Sequence, residues 1–226
     1  MILNTMKKIY IIGTNPTDPY DCTIQAIEKI KKSELLILPP KFDNNFINLI
    51  KNKKIIYLQE NLSKKNNIYL WKKILIFFER YNVIGHLVDG DPFIDQNGVE
   101  ESNFFWDRNI ESEIIPGIIN LVNRLNKNSK LLTDREKNSS VTFMKPFNLK
   151  KFSKIIKNSF FEKLIIYLES ENDINEIRYF LSKNILNLKI SFTFKDKNII
   201  LTQPDINFVS KFSCPCYIIF EKNEKL

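Results

Sequence analysis

Short apolar runs alternate with helically spaced segments through the first half of the chain. Lys7 to Ile12 reads as a buried strand, and Gly13-Thr14-Asn15-Pro16-Thr17-Asp18-Pro19 as the loop after it. Asp21 or Thr23 can cap a helix running to about Lys32, with Ile24, Ile27 and Ile30 on one face. Leu35 to Leu38 is a second strand, stopped by Pro39-Pro40. A helix over Phe46 to Lys51, a strand over Lys54 to Leu58 and a helix over Ile68 to Tyr81 follow. Val83 to Val88 is a fourth strand, ending at Asp89-Gly90-Asp91-Pro92; then come a helix over Phe104 to Asn109 and a short strand at Glu113-Ile114-Ile115. Strict alternation of strand and helix predicts a parallel sheet with helices on its faces. Ligands of such sheets sit beyond the carboxyl ends of the strands, where the loops at Gly13–Pro19 and Asp89–Pro92 fall.

The second half is patterned differently. Its apolar runs, Val141–Met144, Lys163–Leu168, Ile190–Phe194, Ile199–Thr202 and Cys216–Glu221, follow one another closely, with one helix expected over Asn172 to Leu181. All five glycines (Gly13, Gly85, Gly90, Gly98 and Gly117) lie in the first half, where each answers a backbone need. The expectation is an α/β fold of two domains, 1–116 with a mostly parallel sheet and 117–226 with a mixed one, divided near Pro116-Gly117.

Composition narrows the class. The 226 residues include 34 Lys plus Arg, 26 Asp plus Glu and one histidine, for a net charge of +8. The lysines are scattered, as a solvated surface would have them; a functional preference for anions is the alternative. The aromatic clusters lack the interleaved basic residues of a nucleic-acid platform, so no nucleic acid is expected. No apolar run reaches the ~18–20 residues of a membrane span, and the N-terminus lacks a signal-peptide cleavage site. Three cysteines fit a reducing, cytoplasmic compartment. A lone histidine excludes a multi-histidine metal site, and no metal is expected. His86, in an apolar strand, reads as a satisfied core residue, and at least one of Cys214 and Cys216 as a buried strand residue.

Three segments together resemble the tetrapyrrole methylase family. Ile9 to Pro19, with Thr23 and Ala26 after it, is similar to that family's opening strand, its G-x-G-P-G-D-P loop and the helix that follows. Val88-Asp89-Gly90-Asp91-Pro92-Phe93 is similar to its G-G-D-P loop, and Glu113-Ile114-Ile115-Pro116-Gly117-Ile118 to its E-V-V-P-G-I segment. Order and spacing agree as well as letters. Phe93, Leu132-Thr133-Asp134-Arg135-Glu136 with Ser140 to Phe143, Lys163 to Leu168 and Cys214 to Ile219 bring the likeness nearest to the branch that methylates uroporphyrinogen III.

The resemblance implies two α/β domains, S-adenosylmethionine (SAM) held in the cleft between them, a tetrapyrrole substrate and a homodimer. It places Pro16 at the adenosine end, Asp89, Gly90, Asp91 and Ile94 around the methionine part, and Ile119, Asn120 and Leu168 closing around the cofactor. Asp91 would accept from the SAM ammonium; read without the resemblance, it is a turn residue of an Asp-Pro pair. Arg135 would grip substrate carboxylates bidentately, or else sit in a surface ion pair.

The chain also departs from the family. Where porphyrin methylases carry an Asp-Arg pair after the second strand, this one reads Leu38-Pro39-Pro40-Lys41-Phe42, and the lysine segment after the third strand is Gln59-Glu60-Asn61. The glycines flanking Pro16 are Asn15 and Thr17, and Asp89 replaces the first glycine of the G-G-D-P loop. Asn and Asp adopt left-handed backbone more readily than most residues. Three readings stay open: the same reaction with the acid/base role moved to Lys41, Glu60 or Asp89; SAM binding with another acceptor (a different tetrapyrrole, a peptide or an RNA); or a non-catalytic relative.

Overall fold

A computed structural model describes residues 6–40, 42–58, 64–94, 96–127, 131–133, 140–145, 147–158, 161–184, 188–194, 197–201 and 216–222. The chain forms two compact units, Met1–Asn123 and Arg124–Leu226.

Five strands build the sheet of the first unit: β1 (Lys8–Thr14), β2 (Leu35–Leu38), β3 (Lys54–Tyr57), β4 (Val83–Asp89) and β5 (Glu111–Ile115). All neighbours are parallel, in the order β3-β2-β4-β1-β5, as the alternating pattern predicts. Parallel strands need crossover connections, supplied by α1 (Ile24–Lys32), α2 (Asn44–Leu49), α3 (Lys64–Phe77) and α4 (Gly98–Trp106); α5 (Asn120–Lys127) follows β5. Strands covered on both faces lose polar alternation, which is why Leu35 to Leu38 are all buried. Ile9, Ile37 and Ile84 pack with Trp71 and Ile74 of α3 and Phe104 and Phe105 of α4. Their strand neighbours Tyr10, Ile12, Leu36, Leu38 and Leu87 turn to the other face, against Ala26 and Ile30 of α1 and Phe46 of α2. Thr23 does cap α1, its hydroxyl accepting from the Ala26 amide at 3.1 Å.

The second unit has β6 (Val141–Met144), α6 (Leu149–Asn158), β7 (Lys163–Leu168), α7 (Glu171–Lys183), β8 (Leu188–Phe194), β9 (Lys197–Leu201) and β10 (Cys216–Lys222). Its order is β6-β7-β10-β8-β9, with β6–β7 parallel and the other pairs antiparallel, so the sheet is mixed as expected. One face packs on α6 and α7 through Phe152, Ile156, Ile177 and Phe180. A capping box starts α7: the Ser170 hydroxyl accepts from the Asp173 amide, and the Asp173 carboxylate from the Ser170 amide.

Several elements differ from the sequence reading, some only by a shifted end: α2 runs Asn44–Leu49 rather than Phe46 to Lys51, α3 starts at Lys64 rather than Ile68, and β5 at Glu111 rather than Glu113. Helix α4 begins at Gly98, well before Phe104, because its first inward residue is a buried glutamate, Glu101, that an apolar pattern passes over. It closes at Asn109, whose φ of 57° lets the Ile110 amide reach back to the Phe105 carbonyl at 3.1 Å and the Asn109 amide to the Trp106 carbonyl at 3.0 Å. Helix α3 ends at Phe77, and residues to Tyr81 continue in tighter turns that still bury Phe78. Helices α5 and α6 were not expected, although Leu121 and Leu125, and Phe152 and Ile156, recur at the i, i+4 spacing of one helical face within stretches rich in Asn and Lys.

Candidate functional site

Strands β4, β1 and β5 lie side by side, and the loops at their carboxyl ends meet main chain to main chain. The Gly90 amide donates to the Thr14 carbonyl at 2.8 Å, and the Thr14 hydroxyl to the Val88 carbonyl at 2.8 Å. The Asp91 carboxylate accepts from the Phe93 amide at 2.9 Å and, across to the third loop, from the Gly117 amide at 3.1 Å. The Thr23 hydroxyl donates to the Pro116 carbonyl at 3.2 Å, joining the start of α1 to the same turn. These contacts need glycine. A Cβ on Gly117 would lie 2.1 Å from the Gly90 carbonyl oxygen, and one on Gly13 would lie 2.5 Å from the Gly117 nitrogen. Gly90 itself has φ 79°, a region that side chains disfavour.

The loop after β1 is held by side chains where the family uses glycines. Asn15 accepts from the Thr17 amide and hydroxyl at 3.0 and 2.8 Å, and its Nδ2 donates to Asp21 Oδ2 at 2.8 Å. Asp21 Oδ2 also accepts from Asn123 Nδ2 at 3.0 Å. The Pro16 carbonyl accepts from the Asp43 amide at 2.8 Å. Beside this loop lies an open groove of about 720 Å³, lined by Thr17 to Tyr20, Ile27, Asn45, Asn48 and Leu49.

Of the residues that the resemblance points to, Pro16, Asp89, Gly90 and Asp91 come together in this cluster. Asp89 is half-buried at the end of β4, its carbonyl accepting from Gln96 Nε2 at 3.3 Å. Asp91 is buried, and its two carboxylate oxygens hold main-chain amides. Ile94 follows in the same loop, partly exposed beside Phe93. Ile119 and Asn120 are half-buried at the start of α5. Leu168 is fully buried in the core of the second unit, opposite Cys216 of β10. Lys41, Glu60, Arg135 and Cys214 lie outside the described residues. Pro39 is buried and carries no exchangeable proton, so it cannot take the part of the family's aspartate.

Two polar groupings went unread in the sequence. Lys8 Nζ pairs with Glu111 at 2.6 Å and Glu113 at 3.0 Å, and Lys29 Nζ with Glu113 at 2.6 Å, both ammonium groups lying over the Tyr10 ring. Burial alone would raise the Glu113 pKa, but the hydrogen bonds from Lys29 and Lys8 together overcome it and hold the carboxyl below its ordinary value. The hydrogen bond to Glu111 is the main cause that raises Lys8. Burial pushes the Cys22 thiol up. The second grouping is the partner of His86. As expected, His86 is buried and satisfied, but the partner is Glu101, with Nδ1 and Oε1 2.7 Å apart and both side chains almost fully buried. Its signal was present: Glu101, Phe104 and Phe105 share one helical face by i, i+3, i+4 spacing.

The family model for tetrapyrrole (corrin/porphyrin) methylases matches residues 8–193. The chain is 28% identical to the uroporphyrinogen-III C-methyltransferase of Cyanidium caldarium over 79% of its own length and 74% of that protein's. It is 29% identical to the enzyme of the same name from Bacillus subtilis, over 62% of its length and 55% of the relative's; another curated relative is spanned over 31%. Among solved structures, the uroporphyrin-III C-methyl transferase of Thermus thermophilus complexed with S-adenosyl homocysteine superposes with a TM-score of 0.69 at 16% identity, covering 95% of this chain and 92% of that one.

Proposed function

The chain belongs to the tetrapyrrole (corrin/porphyrin) methylases, and from that premise we propose that it transfers methyl groups from two SAM molecules in turn to two ring carbons of a tetrapyrrole, uroporphyrinogen III, giving precorrin-2. The observation that carries this reading is the meeting of the Gly13, Gly90 and Gly117 loops on three adjacent strand ends. Glycine lets these three loops close main chain to main chain at the carboxyl edge of a parallel sheet, the edge where ligands of such sheets bind, so the residues present fit SAM.

SAM, when bound, supplies an electrophilic methyl on a positively charged sulfur. The chain's contribution is placement. The Gly90–Asp91 segment, pinned at both ends, presents a preset surface to the methionine part, and Pro16, braced by Asp43, borders the adenosine. A fixed loop lowers the entropic cost of aligning methyl and nucleophile. The methylated carbon carries no hydrogen, so the cationic macrocycle must lose a proton from a neighbouring position. With proline at the usual aspartate position, this reading gives that task to Asp89, half-buried at the end of β4. A homodimer and a cytoplasmic location complete the reading, on the strength of the family likeness.

Calorimetry with S-adenosylhomocysteine (SAH) is the first test, and no heat at millimolar ligand would mean a relative that has lost cofactor binding. Incubation with SAM and uroporphyrinogen III then tests the acceptor, since the methylated product has chlorin-type absorbance. SAH binding without that product would support a second reading, a different methyl acceptor, which the buried Pro39 at the family's aspartate position favours.

A further inference from the structure

We propose that His86 and Glu101 are positioning residues that set the geometry of the described loop residues 89–94 and 96–97, between β4 and α4. The ligand-binding part of this proposal rests on the reading of that loop as the cofactor loop. His86 sits mid-strand in β4, between Ile11 of β1 and Ile37 of β2. Glu101 reaches it from α4, beside Phe104 and Phe105. Their side chains are 3% and 5% exposed, and Nδ1 and Oε1 are 2.7 Å apart. Burying two polar side chains is costly even when they bond each other, and an apolar pair of similar volume is often as stable or more so. Stability therefore does not explain the pair. A hydrogen bond between these groups is directional where apolar packing is not. It therefore fixes how far α4 slides along β4.

That sliding coordinate is the one the loop feels. The loop leaves β4 three residues after His86 and enters α4 three residues before Glu101. The Gly98 amide donates to the Pro92 carbonyl at 3.0 Å, and a Cβ on Gly98 would lie 2.7 Å from Pro92 Cβ, so helix and loop have no slack between them. Gln96 Nε2 bonds the Asp89 carbonyl, and Asp91 carries the constraint to Gly117. A displaced α4 would move Pro92, then Asp91, then the meeting point of the three loops.

The test replaces both partners with leucine, His86→Leu with Glu101→Leu, and compares the ligand-free protein with wild type by thermal melting and by hydrogen exchange resolved to residues 89–98. The expected result is a melting temperature equal to or above wild type, with exchange of the Gly90, Phe93 and Gly98 amides about tenfold faster and SAH affinity about tenfold weaker, the scale of one lost hydrogen bond. Glu101→Gln keeps an acceptor for His86 and should stay within about threefold of wild type in both readouts. Unchanged loop exchange in a folded leucine pair overturns the proposal. Should that pair not fold, Glu101→Ala decides: faster exchange confined to 89–98 supports it, and uniform acceleration across β1, β2 and β4 overturns it. Failure of the wild-type protein to bind SAH would sink the cofactor reading alone, because the exchange result needs no ligand.

Discussion

A single hydrogen atom in place of a methyl group at Gly117 is what allows three loops to touch. With the Gly90 oxygen 2.1 Å from where a Cβ would stand, and both partners main chain, neither side can yield without breaking the Gly90–Thr14 or Gly117–Asp91 hydrogen bond. Gly117→Ala should therefore lower stability by about 1–3 kcal/mol or more, read from the urea midpoint, and weaken SAH binding in parallel. Asp91 is the second such residue. Both meanings weighed for it, ligand acceptor and turn former, involve its carboxylate, and the structure shows that carboxylate accepting from Phe93 and Gly117. Asp91→Ala leaves two amides short of a partner and should cost about 1–3 kcal/mol in stability, with SAH affinity reduced; Asp91→Asn, retaining one acceptor oxygen, should lose less. Calorimetry on the two variants checks this, and wild-type affinity in Asp91→Ala would remove the loop from the binding site. Asn15 shows the limit of letter matching. It stands where the family has glycine, yet the loop is built, with its side chain tying Thr17 to Asp21.

Among the elements, β1 and β5 are joined outside their ladder by Lys8, Lys29, Glu111 and Glu113. The lowered pKa of Glu113 has a defined consequence for stability. A carboxyl whose folded value lies below its ordinary 4.5 stabilises the fold above that pH and loses the contribution as pH falls through the folded value. Wild type should therefore lead Glu113→Gln in urea midpoint at about pH 6, and the lead should shrink toward about pH 3; a lead that is constant across this range would contradict the assignment. The pairs are partly exposed, so the difference should also narrow with added salt. At this scale the central strands were legible as apolar runs buried on both faces, as in Leu35 to Leu38, whereas β5, Glu-Ser-Glu-Ile-Ile, was read only at its apolar end. Helices were legible where a cap or an apolar stripe marked them, as Thr23 does for α1. They were missed where a short apolar stripe stands among many Lys and Asn, in α5 and α6, and where α4 turns a glutamate inward.

Taken whole, the molecule keeps its glycines in one unit and a glycine-free mixed sheet in the other. The first unit carries the converging loops; the second carries Leu168 at the centre of its own core. If SAH binds the folded chain alone, ligand at about a hundred times its Kd should add about 2.7 kcal/mol of stability. The melting temperature should then rise by several degrees and follow the logarithm of SAH concentration. A melting curve indifferent to SAH would count against cofactor binding as surely as an absence of heat.

Local order was written in the sequence itself: which segments become strands, where α1 begins, that the first sheet is parallel and the second mixed, and that three motif segments follow strand ends. Each of these depends on periodicity, on capping or on the connections between successive strands, all of which act over a few residues or from one element to the next. Tertiary structure alone decided which side chains those segments would meet. The Asp91 carboxylate finds an amide 26 residues away, His86 finds Glu101 on the helix that covers it, and Lys8 finds Glu111 across a parallel ladder. Such pairings depend on sheet order and on how each helix settles against the sheet. They are set by close packing of the whole unit, which no window of neighbouring residues contains.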